Sequence, residues 1–225
     1  MNPGEINLYL GNMKSNKSLE AIILGQRAKF SGKIPLYLKN KTHTREEEIT
    51  SRIGRDINGN GGITQEAYLI ENSEGLLKHL RDYEIKYENK EIVLIIDEIQ
   101  FFDLNYGEIE FSETLHTLKS GQNEFKKRYS INLFGLNTTV ESTPWNINTY
   151  LMPIATSIQK LKNPICEFSD DCSHTADYPA RKINDIWDKP GGSIVKIESD
   201  EIEKKIDYFV LCTEHYFEAY PDFFK

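Results

Sequence analysis

The stretch Gly11-Asn12-Met13-Lys14-Ser15-Asn16-Lys17-Ser18 has the residue types of a phosphate-holding loop. Such a loop points backbone N–H groups at phosphates, adds a lysine point charge and supplies a hydroxyl for Mg2+; Lys17 and Ser18 fill the last two roles. The spacing matches G-x-x-x-x-G-K-[ST], with Asn16 in place of the second glycine. That glycine is there for backbone freedom, and asparagine is among the residues that best tolerate a positive φ. The loop therefore either keeps its shape around Asn16 or is damaged, with weakened nucleotide affinity. Far along the chain, Ile92 to Ile96 form an apolar run that ends in two carboxylates, Asp97 and Glu98. A strand buried on both faces of a parallel sheet reads this way, and its end delivers side chains to the ligand crevice. Loop and carboxylates make the two halves of a Walker-type site. Ser18 and Asp97 handle Mg2+, directly or through water, and Lys17 the β- and γ-phosphates. Glu98, pointing to the other strand face, is free to act as a base.

A second set of chemistry-bearing residues sits in the last third. Cys166 and Cys172 are separated by five residues, and Cys212-Thr213-Glu214-His215 forms a C-x-x-H pair. Two ligand pairs parted by an insertion suit a tetrahedral Cys3His zinc site of structural type, although the first spacing exceeds the common two to four. His174 competes for the fourth position, and spacing favours His215. An odd cysteine count with no secretory leader disfavours a disulfide framework.

These groups need elements to hold them. Ile6, Leu8 and Leu10 alternate as a first strand, and Leu19, Ile22, Ile23 and Ala28 recur as one helix face after the loop. Further strands are predicted at Ile34–Leu38, with Pro35 favouring an edge or a strand start, at Ala67–Ile70 and at Ile131–Leu136. Helices are predicted over Gly75–Tyr83, Ile109–Lys127 and Pro144–Leu161. Lys39–Glu48 reads as a solvated loop, Ser51–Gly54 as a turn, and Asn58–Gly62 as a surface loop. Strands alternating with helices indicate a three-layer α/β sandwich with a mostly parallel sheet. Asn184–Asp207, with Pro190-Gly191-Gly192, suggests a long mobile loop or a small hairpin.

The 225 residues suffice for one main domain with an appendage. At 39% hydrophobic and 28% charged the chain is ordinary globular material. Its net charge of −8 disfavours a general nucleic-acid or membrane-surface binder, though not a small anion in a local site. Neither a secretory leader nor an apolar run long enough to span a bilayer is evident, so a cytoplasmic protein is expected.

The chain resembles the type II thymidine kinases. The resemblance rests on Gly11 to Ser18, on Asp97-Glu98-Ile99-Gln100-Phe101-Phe102, on Gly135-Leu136-Asn137, on Lys160-Leu161 shortly before Cys166, and on Tyr208 four residues ahead of Cys212. It runs from about Ile6 to Phe217. What it implies is a P-loop NTPase-like fold with a small zinc-binding lasso domain, and transfer of the ATP γ-phosphate to the 5′-hydroxyl of thymidine. The residue matching Glu98 would be the general base. Gly11, Met13, Lys14, Ser15, Asn16, Lys17, Ser18 and Asp97 would hold Mg-ATP; Met13, Phe101, Leu136, Val140 and Tyr208 would surround the nucleoside. The lasso would lie within Arg181 to Tyr208. Expected boundaries are 1–162 for the ATP-binding domain, 163–217 for the zinc-binding lasso domain and 218–225 for a tail. Family members are commonly homotetramers. The departures are Asn16, Val140 where an aromatic residue is common, the stretched cysteine pair and a longer lasso. Another deoxynucleoside as substrate, or a silent nucleotide-binding protein, are the alternatives.

Overall fold

The computed structural model describes residues 4–41, 48–55, 61–105, 108–188 and 205–222. Strand β1 (Glu5–Gly11) leads through the loop into helix α1 (Lys17–Phe30) and then β2 (Ile34–Asn40). The hairpin strands β3 (Glu48–Arg55) and β4 (Gly61–Glu66), strand β5 (Tyr68–Ile70) and helix α2 (Ser73–Lys86) come next. Strand β6 (Ile92–Asp97) runs into a 3-10 helix over Ile99–Asn105, then helix α3 (Glu108–Ser120) and strand β7 (Ser130–Leu136). Helix α4 (Asn146–Leu151), a 3-10 turn at Met152–Ile154 and strand β8 (Ser157–Lys160) complete the larger part. The last third holds β9 (Tyr178–Ile183), β10 (Ile186–Trp187), β11 (Ile206–Leu211) and helix α5 (Thr213–Ala219).

The main sheet has the order β5-β2-β6-β7-β1-β8 and is parallel. Every residue of β6 is buried, as its unbroken apolar run requires of a central parallel strand. One sheet face, carrying Tyr37, Val93, Ile95 and Phe134, packs against Ala21, Ile22 and Ala28 of α1 and Ile49 of β3. A Cβ on Gly25 would fall 1.8 Å from the Tyr37 hydroxyl, so the bare backbone there lets α1 approach β2. The alternate residues Leu36, Leu38, Leu94 and Ile96 are buried and face the opposite side. A row of polar side chains crosses the sheet: Asn132 donates to the Leu94 carbonyl, Asn7 to Asn132 and Ser157 to Asn7. These bonds select one register among the several an apolar parallel sheet would accept.

The three-layer α/β architecture with a parallel sheet is as expected, but several elements differ. The predicted Pro144–Leu161 helix ends at Leu151, because Pro153 lacks the N–H that a further turn would use. The chain continues into β8, an exposed edge strand paired to β1, Leu8 opposite Ile158. Four residues with a single isoleucine leave almost no alternation to read. Helix α3 stops at Ser120, before Gly121 at φ 82°, so Phe125 lies past its end and meets Tyr129 edge-on. Ser51–Gly54 is not a turn but part of β3, paired to β4. Lys39 and Asn40 belong to β2 and Glu48 to β3; the residues between 42 and 47, and most of the Asn58–Gly62 stretch, lie outside the described residues. Pro35 does sit near a strand start: it pairs with Val93 of β6, while β5 meets β2 only from Leu38 to Asn40. The strand as a whole is internal.

The chain divides into two compact units. One comprises the chain up to Leu10, Asn16–Gly135 and Asn146–Lys160; the other comprises Gly11–Ser15, Leu136–Trp145 and the chain from Leu161 onward. Within the second unit β10, β9 and β11 form an antiparallel sheet, with Tyr208 opposite Arg181. The Asn184–Asp207 segment thus contributes all of β10 and the first two residues of β11, and residues 189–204 lie outside the described residues. No helix among the described residues is long and apolar enough to cross a membrane.

Candidate functional site

Asn16 sits at φ 62° and ψ 23°, the left-handed conformation that the missing glycine would have adopted, at the N-cap position of α1 but without a side-chain cap hydrogen bond. Lys14 is left-handed as well, at φ 64°. The loop reaches this shape with two residues under steric strain, each of order 1 kcal/mol. Helix α1 then presents Lys17 and Ser18 on its first turn.

Ser18 donates its hydroxyl proton to Asp97 Oδ2 at 3.0 Å. Asp97 is buried at the end of β6, and its other oxygen accepts the Glu98 N–H at 2.9 Å. Burial pushes the Asp97 carboxyl up to about 6, with the neighbouring Glu98 charge adding to the rise; Lys17 and the two hydrogen bonds oppose it. Burial lowers the Lys17 ammonium, while Glu98 and Asp97 favour its charged form. Lys17, Ser18, Asp97 and Glu98 therefore form one electrostatic group within the larger unit.

Glu98 does not continue the strand to its other face, as the alternation rule suggested. It is left-handed, at φ 58°, so its side chain leaves through a turn. For a glutamate this conformation needs support from its surroundings. The Asp97 carboxylate holds the Glu98 N–H, the Phe101 N–H donates to the Glu98 carbonyl at 3.2 Å, and Gln100 Nε2 donates to Glu98 Oε2. A Cβ on Gly135 would lie 2.3 Å from Ile99 Cγ1, so β7 must be bare where it passes this turn. Gln100 is fully buried; the motif contained it, yet its bond to Glu98 was not foreseeable because it depends on the left-handed turn at Glu98 and the 3-10 helix after it, which strand alternation does not show.

The residues assigned to the nucleoside are spread over several elements. Phe101, in the 3-10 helix after β6, is partly buried; Leu136, at the end of β7, is partly buried too. Met13 packs against the core of the second unit, Val140 is buried, and Tyr208 is a partly buried residue of β11. Gly11 and Ser15 are close: a Cβ on Gly11 would fall 2.3 Å from Ser15 Oγ.

In the second unit the ligand atoms of Cys166, Cys172, Cys212 and His215 all lie within 4.8 Å of one another. His215 Nδ1 is 3.4 Å from both Cys166 Sγ and Cys212 Sγ. A tetrahedral zinc at about 2.3 Å from sulfur and about 2.0 Å from nitrogen would put such atoms roughly 3.5 Å apart, so the donor set fits the metal. Cys212 is the residue before α5 and His215 lies in its first turn, a spacing that brings both to one side. Phe168 stacks on the His215 ring at 4.3 Å and fixes its plane. His174 is exposed, and its carbonyl accepts the Cys166 N–H, so it serves the cluster through its backbone.

A protein-family model described as thymidine kinase matches residues 4–216 of the chain. The thymidine kinase of Choristoneura biennis entomopoxvirus is 30% identical over 189 residues, which cover 84% of this chain and 89% of that protein. The thymidine kinase of Choristoneura fumiferana entomopoxvirus is 29% identical over the same length, with the same coverage.

The loop and the buried acid each lead to an expected outcome. Replacing Asn16 by glycine should leave unfolding free energy nearly unchanged, whereas Asn16→Ala should lower it by about 1 kcal/mol in urea titrations, because alanine tolerates a left-handed φ less well than asparagine or glycine. Asp97 has a folded-state pKa above its unfolded value, so its contribution is fully present below the unfolded pKa and is lost as pH rises through about 6. Ligand-free Asp97→Asn protein should accordingly melt above the wild type at neutral and higher pH, with the gap closing as pH falls below that midpoint.

Proposed function

This chain belongs to the thymidine kinase family, and from that premise we propose that it transfers the γ-phosphate of ATP to the 5′-hydroxyl of thymidine, with Glu98 as general base. The observation that carries the reading is the Ser18–Asp97 hydrogen bond, which joins the phosphate loop to the acidic strand end while Lys17 feels both carboxylates. Phosphoryl transfer asks mainly for positioning and charge stabilisation. Backbone N–H groups of Gly11 to Ser18 would surround the phosphates, and Lys17 would pair with them. Mg2+, held through Ser18 and Asp97, would neutralise phosphate charge when bound. The nucleoside hydroxyl gives its proton to the Glu98 carboxylate, its oxygen bonds to the γ-phosphorus, and ADP leaves with the bridging oxygen.

Several features favour Glu98 in that role. Its backbone is held in a strained turn by two hydrogen bonds and its carboxylate by a third, so the carboxylate is aimed before substrate arrives. Gln100 restrains one oxygen and leaves the other to accept a proton. Met13, Phe101, Leu136, Val140 and Tyr208 are assigned to the nucleoside; aromatic faces such as Phe101 and Tyr208 suit a planar pyrimidine. The Cys166, Cys172, Cys212 and His215 cluster would hold a structural zinc, since all four positions are filled by protein.

Glu98→Gln should cut kcat for thymidine by about 100- to 10,000-fold while changing the Kd for Mg-ATP less than twofold. Steady-state ADP release and calorimetry would check both; equal turnover would remove Glu98 from the role. Competition of thymidine with deoxyuridine, deoxycytidine and deoxyguanosine in the same assay identifies the preferred base. Elemental analysis should find about one zinc per chain, and chelation should loosen the C-terminal third to protease.

A further inference from the structure

The second unit contains two segments remote in sequence from its Cys/His cluster: the front of the phosphate loop, Gly11–Ser15, and the loop after β7, Leu136–Trp145. Both carry left-handed residues other than glycine, Lys14 at φ 64° and Ser142 at φ 58°. Conformations of this kind persist only where neighbours hold them. The Ser142 N–H donates to the Thr139 carbonyl, and each loop is also contacted by the residue that follows a cluster ligand.

Glu167 comes directly after Cys166. Its N–H donates to the Val210 carbonyl at 2.9 Å, and its Oε2 accepts the Val210 N–H at 3.0 Å, so the carboxylate is anchored on β11. The remaining oxygen, Oε1, pairs with Lys14 Nζ. Asn12 adds a buried bond of 3.0 Å from its side-chain amide to the Ala176 carbonyl, and Met13 packs on the same core. Tyr216 comes directly after His215. It is fully buried, stacks on Tyr178 at 4.6 Å, and donates its hydroxyl to the Val140 carbonyl at 2.8 Å.

We propose that Glu167 and Tyr216 are positioning residues that brace the two substrate loops separately from the Cys/His cluster, Glu167 setting nucleotide affinity through Lys14 and Tyr216 setting nucleoside affinity through Val140. The inference rests on the kinase reading above. An anchored carboxylate loses little further freedom on pairing, so Glu167 can hold a partly exposed lysine better than a free surface glutamate would. Deleting the Tyr216 hydroxyl leaves a buried carbonyl without that donor, and the loop it closes can relax.

The experiment compares full-length wild type, Glu167→Gln and Tyr216→Phe. Steady-state kinetics gives both KM values, calorimetry gives the Kd for Mg-ADP, and melting temperature and zinc content report integrity. Glu167→Gln should raise the Mg-ADP Kd and the ATP KM roughly two- to fivefold with the thymidine KM unchanged. Tyr216→Phe should raise the thymidine KM roughly three- to tenfold with the ATP KM unchanged. Lys14→Met, which touches the first contact from its exposed side, should match Glu167→Gln, and the double variant should add nothing further. Unchanged constants, or equal shifts of both KM values, would overturn the proposal. So would tighter Mg-ADP binding by Glu167→Gln, which would mean that Lys14 binds phosphate directly and Glu167 competes for it. Wild-type protein that neither binds Mg-ADP nor phosphorylates thymidine would instead remove the kinase reading, and this inference with it.

Discussion

A carboxylate buried at the tip of an apolar strand must find donors, and Asp97 finds them from two parts of the chain. The Ser18 hydroxyl comes from the first turn of α1, and the Glu98 N–H comes from the turn just past β6. Each donor arrives only if its own backbone takes an unusual path. Ser18 is presented by a helix that begins on left-handed Asn16, and the Glu98 N–H belongs to a left-handed residue. Burial of one acid thus ties together the helix start, the strand end and the turn beyond it. Even with these bonds the carboxyl is harder to ionise than usual, so its anionic form is held at a cost that a bound cation would relieve.

Part of the backbone strain lies where chemistry is proposed. Among the described residues eight are left-handed without being glycine; Lys14, Asn16, Glu98 and Ser142 lie in or beside the loops assigned to substrate, whereas Asn89, Lys126, Asn184 and Asp185 lie in other turns. Packing supplies the counterforce: a bare Gly135 admits Ile99 under the Glu98 turn, and Gln100 is fully buried against the same carboxylate. A loop shaped before its ligand arrives loses less entropy on binding.

The C-terminal unit solves a different problem. Its core is small, built on Ala176, Ala180, Val210, Leu211, Tyr216 and Tyr220 around the cysteine cluster. A core of that size gains from a cross-link, and four converging donors at tetrahedral separations can provide one. Arg181 is entirely buried there, paired with Asp188 and with its backbone N–H bonded to the Tyr220 hydroxyl, so the β9–β10 hairpin is closed by charge as well as by sheet bonds. An ion pair this deep specifies one arrangement of the hairpin, since removing either partner would strand a buried charge.

Much of this was legible in the chain itself, for local reasons. The run Ile92–Ile96 could be little else than a central strand, Lys17-Ser18 before an apolar-periodic stretch could open a helix, and asparagine at position 16 could take a positive φ. The C-x-x-H spacing of Cys212 and His215 made His215 the better fourth ligand than His174, and the structure brings it to the cluster at the start of α5. What no local pattern revealed were relations made by distant segments. Strand β8 exists because β1 offers it an edge, not because Ser157–Lys160 favours extension. Glu98 turns left because Asp97, Gln100 and Ile99 close around it, and alternation along a strand cannot foresee that. Glu167, Tyr216 and Asn12 look like ordinary polar residues until folding sets them against Lys14, Val140 and Ala176. Periodicity and propensity act over a few residues, whereas these roles come from hydrogen bonds across tens to more than a hundred positions, which only the folded chain can bring within 3 Å or so.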